Sequence, residues 1–244
     1  MNIYKEKNEE ELGKTAASCG AAVIKRAIGQ KGYARIILAT GASQFSMLEN
    51  LVKMDIPWDK VTMFHLDEYC DLLMTHKASF RRYLKERFVD LVHPQRAYFI
   101  DGEGDVENKI KALTVALREE PIDVAFIGIG ENGHIAFNDP PADFDTKEAY
   151  IVVNLDDDCK RQQVNEGWFP AIGDVPSRAV SMTVHQIMQS KTIVCTVPGI
   201  CKARAVKATL EAKEATPLVP ASILKQHKDC QLILDEESAS LISI

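Results

Sequence analysis

Apolar residues along the chain switch repeatedly between helical and strand periods. Leu12, Ala16, Cys19, Val23 and Ala27 recur at three- and four-residue spacings between Glu9 and Ala27, which predicts an amphipathic helix ending near Gly29. The period then shortens: Arg35-Ile-Ile-Leu-Ala-Thr40 is a β-branched run, Gly41-Ala-Ser-Gln44 interrupts it, and Phe45 to Val52 resumes helical spacing. A strand over Lys60 to His65, a polar loop over Leu66 to Tyr69 and a helix over about Ser79 to Val89 repeat that unit. A helix near Asn108 to Arg118 precedes the most apolar strand candidate, Ile122 to Gly128. Further strands are expected at Tyr150 to Asn154, Thr192 to Val197 and Gln231 to Leu234, with a helix over about Gly199 to Glu211 between the last two. Strands alternating with helices predict an α/β fold with an open, mainly parallel sheet and helices on both faces, because a parallel connection needs a crossover element. Such sheets bind ligands at the carboxyl ends of their strands. The loops that matter for chemistry are therefore Gly41 to Gln44, Leu66 to Tyr69 and Gly128 to Asp139.

A chain of 244 residues with 46% hydrophobic positions can bury a full core, so a single domain over residues 1–244 is expected. A net charge of -6 lacks the basic excess that a nucleic-acid backbone would demand. An acidic protein that binds an anion must instead concentrate positive potential locally. The six cysteines are scattered and form no CxxC pair, which reads as reduced, mostly buried thiols rather than a metal site. The charged opening MNIYKEKNEEEL carries no secretory signal, and no later stretch reaches the roughly 18 apolar residues of a membrane span. The cytoplasm is the expected location.

Thr40-Gly41-Ala42-Ser43 lies between a strand and a helix start, where small residues let backbone N–H groups approach an anion. Ser43 capping the helix would use the same residues without a ligand. Asp67 and Glu68 follow a buried strand, where desolvation can lift a carboxylate toward the range of a general base; capping a turn is the alternative. Gly128-Ile-Gly-Glu-Asn-Gly133 matches GxGxxG, but Pro140 and Pro141 follow closely and forbid the helix that a dinucleotide fingerprint must open. The glycines instead suit a sharp turn presenting His134 and Asn138 to a cleft. Flanked by Asn132 and Asp139, His134 is the best catalytic candidate, against a reading in which it only ties the loop together. Lys202 can reach an anion at the sheet edge or lie on the surface, and Lys160 and Arg161 read as solvated loop charges.

Together the stretches LATGAS, FHLDEY and GIGENGHIAFNDP resemble those of the glucosamine-6-phosphate deaminase/isomerase family, in similar order and spacing over nearly the whole chain. The resemblance implies a Rossmann-like sheet and conversion of an amino sugar 6-phosphate, through its enol form, into fructose 6-phosphate and ammonia. It implies that Asp67 shuttles a proton between carbons 1 and 2 and that His134 assists ring opening. Gly41, Ala42 and Ser43 would hold the phosphate with help from Lys202, and Glu68 would sit at the substrate in a supporting rather than a second catalytic role. No metal or organic cofactor is implied, and the partner is a small sugar phosphate.

The chain departs from the family pattern at three places. Asn132 stands where many members have Asp, which leaves His134 to rely on Asp139. Asp139 is one methylene shorter than the usual Glu, so contact with His134 is expected to need loop adjustment or a bridging water. Gly167 or Trp168 replaces an arginine that binds phosphate, with Lys160 or Arg161 the available substitutes. The chain ends at Ile244 without a longer tail, so allosteric control by an acetylated sugar is not expected, and monomer and homo-oligomer stay open. A 6-phosphogluconolactonase would carry DER and ASLFP where this chain has Asp67-Glu68-Tyr69 and Ala136-Phe-Asn-Asp-Pro140. A galactosamine-6-phosphate isomerase or a non-catalytic sugar-phosphate sensor would need the same pocket.

Overall fold

The computed structural model describes residues 1–243. In chain order it forms β1 (Asn2–Glu6), α1 (Glu9–Lys31), β2 (Ala34–Leu38), α2 (Phe45–Leu51), β3 (Val61–His65) and β4 (Asp67–Tyr69). Then come α3 (Phe80–Leu84), α4 (Asp90–Val92), β5 (Arg96–Tyr98), α5 (Val106–Arg118), β6 (Val124–Ile127) and β7 (Tyr150–Asn154). The remainder is α6 (Asp157–Asn165), β8 (Arg178–Met182), α7 (Val184–Met188), β9 (Thr192–Val197), α8 (Ala203–Glu211) and β10 (Cys230–Asp235).

Seven strands form one sheet in the order β1-β10-β9-β6-β2-β3-β5, with every pair parallel. The order reverses between β2 and β6, and the loops leaving these strands splay apart there to open a crevice. Side chains alternate across the sheet, and both faces are covered. Ile36 and Leu38 join Phe126, Val194 and Ile233 under α1, whereas Ile37 joins Phe64, Ala125, Ile127 and Leu232 on the other face.

Helix α1 starts where Asn8 accepts a hydrogen bond from Glu11 N and stops at Gly32, whose φ of 87° suits only glycine comfortably. The expected stop at Gly29 is therefore three residues early. At Gly20 the helix backbone lies against the sheet so closely that a Cβ would sit 2.1 Å from Phe126 Cζ.

A second, three-stranded sheet in the order β4-β8-β7 is antiparallel, and the sequence pattern did not anticipate it. Asp67–Tyr69, expected as loop, is its edge strand, because Glu68 pairs opposite Val180 and Tyr69 opposite Ala179. The two sheets are joined at the end of β3, where Tyr150 donates from its hydroxyl to the His65 carbonyl at 2.9 Å and Met182 N donates to Leu66 O at 2.9 Å.

Gly20→Ala and Gly29→Ala should shift stability in opposite directions. The first overpacks α1 on Phe126 and should cost about 1–3 kcal/mol. The second places a methyl in open space and should add about 0.5–1 kcal/mol. Urea unfolding of both variants checks this, and a gain at Gly20 would contradict the packing.

Candidate active site

Four strands of the large sheet end at one level and deliver their following loops to one cleft. Gly41, Ala42 and Ser43 come from the end of β2, and Asp67 from just beyond β3. Gly128, Gly130 and His134 follow β6, and Lys202 follows β9.

The loops after β2 and β9 share one design. Gly41 (φ 95°, ψ 170°) and Gly199 (φ 88°, ψ 154°) each turn the chain into a single 3-10 turn that runs into α2 or α8. Ser43 caps neither the turn nor α2; its hydroxyl instead accepts from Gln44 Nε2 at 3.1 Å. Lys202 is 6% exposed, lines the cleft, and has no ion pair among the described residues. Glycine backbone on one loop and an ammonium on the other make this end of the cleft receptive to an anion.

Asp67 lines the same cleft. It is 7% exposed, its Oδ1 has no hydrogen-bond partner among the described residues, and burial together with the neighbouring Glu68 charge pushes its pKa up to about 8. A carboxyl group in that state can accept and return a proton near neutral pH. Glu68 points elsewhere, as successive residues of a strand must. Its carboxylate accepts from Tyr69 N (2.9 Å), Ser79 Oγ (3.0 Å), Phe80 N (3.1 Å) and Arg81 N (2.7 Å), and lies 3.4 Å from Arg81 Nε. Burial raises its pKa, and these donors and the guanidinium act against that rise. Glu68, expected beside the substrate, lies outside the cleft lining and anchors the start of α3 instead.

His134 is set by a tight turn in which Gly130 N donates to His134 O (2.9 Å) and Gly133, at φ 87°, donates to Gly130 O (3.0 Å). Its ring lies over Gly130, where a Cβ would sit 2.2 Å from Nε2. On the far side, Nδ1 is 2.9 Å from Asp139 Oδ1, although the two are off the line of a straight hydrogen bond. The shorter carboxylate therefore reaches the ring directly. The loop permits this because Ala136 takes φ 50° and Ile135 bridges back to Asn138. Asn132 Oδ1 accepts from His134 N at 3.0 Å and its Nδ2 donates to Asp139 Oδ1 at 3.1 Å, so the amide orients both partners. Burial works to raise the Asp139 pKa, but the His134 ring and hydrogen bonds from Asn132 and Cys159 overcome it and hold the carboxyl below its ordinary value. Asn138, expected in the cleft, is buried: its amide donates to Ile135 O and Met182 O, each at 2.8 Å, and fastens the loop to β8.

Gln162, Gln163 and Glu166 also line the cleft, and sequence reasoning missed them. They belong to α6 and the residue after it, a helix opened by Asp156 accepting from Cys159 N at 2.6 Å. That cap followed by helical spacing was the available signal, hidden by a mean composition that reads as solvated loop. Gln162 Oε1 accepts from Glu131 N at 3.3 Å, Tyr69 donates to Gln163 at 2.6 Å, and Glu166 receives Gln162 Nε2 (2.7 Å) and Trp168 Nε1 (3.1 Å). Lys160 and Arg161 pair with Asp157 and Asp158, and neither lines the cleft.

Residues 7–233 match the family model of glucosamine-6-phosphate isomerases/6-phosphogluconolactonase. The chain belongs to this family. A glucosamine-6-phosphate deaminase of Latilactobacillus sakei subsp. sakei is 33% identical, with 100% of each chain covered, and one of Streptococcus uberis is 34% identical, covering 98% and 99%. Among solved structures, a monomeric glucosamine-6-phosphate deaminase superposes with a TM-score of 0.91 at 30% identity, over 99% of this chain and 100% of that one. A 6-phosphogluconolactonase from Trypanosoma brucei reaches a TM-score of 0.81 over 99% and 98% of the two chains, but at 16% identity it shares the fold alone.

For this family member the buried Asp67 has a thermodynamic signature. Its pKa rises from 3.8 to about 8 on folding, so the native state holds a proton that the unfolded chain releases. The resulting stabilisation is complete below pH 4 and is lost as pH rises through 8. Asp67→Asn should flatten that decline and be the more stable protein at pH 8.5 by a few kcal/mol on the order expected for such a shift. Urea unfolding at pH 5 and 8.5 checks this, and parallel pH profiles for the two proteins would contradict it.

Proposed function

We propose that the chain is a glucosamine-6-phosphate deaminase that converts glucosamine 6-phosphate and water into fructose 6-phosphate and ammonia. The observation that carries this reading is one cleft lined by both His134, which is held by Asp139, and an Asp67 carboxyl whose Oδ1 has no partner among the described residues, together with the glycine loop Gly41–Ser43 and Lys202. Full-length relatives that bear the same name support it.

In this reading the phosphate sits on Gly41, Ala42 and Ser43 and is neutralised by Lys202. His134, oriented by Asp139 and Asn132, moves a proton between the sugar's O1 hydroxyl and its ring oxygen and so opens the ring. Asp67 then takes the C2 proton of the open-chain aminoaldehyde and returns it to C1, while the amino group loses a proton and O1 gains one. The resulting 2-imine adds water and expels ammonia, which leaves the ketose. Ring opening breaks the C1–O5 bond and imine hydrolysis exchanges C–N for C–O, with water supplying the oxygen; no step needs an external oxidant or reductant, and the reading invokes no metal or organic cofactor. Asp67 comes from the small sheet and His134 from the large one, so residues 1–244 act as a single domain. A sugar phosphate substrate makes the cytoplasm the expected compartment, and no helix among the described residues is long and apolar enough to cross a membrane.

Purified protein given glucosamine 6-phosphate, galactosamine 6-phosphate and 6-phosphogluconolactone in parallel should release ammonia from the first, with fructose 6-phosphate as co-product. Ammonia from the galacto substrate alone would reassign the epimer, and turnover of none of the three would overturn the reading. Asp67→Asn should lose at least about a thousandfold in kcat while still binding substrate. His134→Gln should impair cyclic substrate more than an open-chain analogue. Lys202→Ala should raise KM about tenfold or more, the loss of one charge-assisted contact. Arg161→Ala should leave KM within about a factor of two, since an exposed ion pair contributes little; a large rise there would place Arg161 at the phosphate after all.

A further inference from the structure

A ring nitrogen of His134, a carboxylate oxygen of Asp139 and the Cys159 sulfur lie within 4.8 Å of one another. We propose that these three residues form a binding site for a soft divalent cation of the Zn2+ type, whose occupancy withdraws His134 and Asp139 from proton transfer. The cluster is nearly closed: the His134 and Asp139 side chains are each 11% exposed, and Cys159 is 1% exposed. Among the described residues neither His134 Nδ1 nor Asp139 Oδ2 has a well-aligned hydrogen bond, although Nδ1 lies 2.9 Å from Asp139 Oδ1 and the Cys159 thiol is near enough to act on the Asp139 carboxylate. A cation placed among the three side chains would satisfy both atoms.

The donor set selects the ion. Imidazole, carboxylate and thiolate together match zinc and similar borderline metals, whereas magnesium and calcium want oxygen alone. Ligand atoms around tetrahedral zinc stand about 3.5 Å apart, given bonds of about 2.0–2.3 Å, so the widest separations in the cluster need to close by up to about 1.3 Å and the His134–Asp139 pair, at 2.9 Å, to open slightly. Cys159 is held in place for this by its own N–H, which Asp156 accepts at the start of α6. The charges that act most strongly on the thiol, those of Asp139, Asp156, Asp67 and Glu166, are acidic, which favours a cation beside it. Three protein ligands leave a fourth position open for water on the cleft side, where His134 lines the wall. On binding, the Cys159 thiol gives its proton to solvent, Asp139 is already ionised and His134 binds as neutral imidazole. The two negative ligands then balance the metal, and one proton is released per ion.

The site itself does not depend on the proposed reaction; only the loss of turnover does. The metal-stripped protein should take up one Zn2+ at this cluster, and isothermal titration in buffers of different ionisation enthalpy should show release of about one proton. Co2+ in place of Zn2+ should give a thiolate-to-metal charge-transfer band. Cys159→Ser should abolish that band and weaken Zn2+ binding at least tenfold, whereas Cys201→Ser, at an exposed thiol, should keep both. Crystals of the unaltered protein soaked in Zn2+ should show an anomalous peak among the three side chains, a readout that does not require the variant to fold. Unchanged Zn2+ affinity in folded Cys159→Ser, or no peak at the cluster, overturns the proposal. Zn2+ should also inhibit turnover, reversibly with chelator and far less in Cys159→Ser relative to its own metal-free rate. Zn2+ bound at the cluster in a protein that releases no ammonia even when stripped would uphold the site and refute the deaminase reading.

Discussion

Strand β8 is the strut on which the two working walls of the cleft depend. On one edge it pairs with β4, fixing the backbone of Asp67 opposite Ser181. At its end the Met182 carbonyl accepts the Asn138 amide, while Ser181 Oγ accepts from Phe137 N at 3.0 Å, so the His134 loop hangs from the same strand. To act on one substrate in the proposed roles, Asp67 and His134, which are reached from different sheets, must hold their separation to a fraction of an ångström. Both are referenced to one short, buried segment of backbone, and that common reference sets the distance.

The adjacent carboxylates show how the strand divides labour. Alternation sends Glu68 into the protein, where four donors and Arg81 receive it, and leaves Asp67 facing the cleft without a partner. Arg81 in turn reaches Asp101 and Glu103, at 3.0 and 2.7 Å, and ties the region to the loop before α5. The charge satisfied at Glu68 raises the cost of a second charge at Asp67. A proton acceptor near neutrality is thereby made at the expense of stability above pH 4, the usual conflict between a working site and a relaxed one.

Much of the site was readable in advance because its parts are local. Gly41 must adopt positive φ, and His134 lies between Asn132 and Asp139 within a single turn, so the sequence positions themselves carry that geometry. The doubt over Asp139 was resolved by Ala136 at φ 50°, a backbone state that apolar patterning does not report. Glu68 was misplaced because the choice between cleft and interior depends on strand pairing 112 residues away, at Val180. Gln162, Gln163 and Glu166 escaped notice because a polar helix over a polar cleft leaves no hydrophobic period to detect.

Read alone, the sequence determined the parallel sheet, the order of most of its strands and helices, and the loops that could carry chemistry. Local periodicity and turn residues encode each of these within ten or so positions. It did not disclose β1, β5 or β8, whose strand state comes from pairing with distant chain: Asn2 with Gln231, Tyr98 with Phe64, Ser181 with Asp67. Tertiary structure alone decided which carboxylate faces the cleft, which cations reach it, and that a buried thiol stands beside His134 and Asp139. Those outcomes depend on which surfaces meet, and contacts between residues far apart in the chain leave no periodic trace along it.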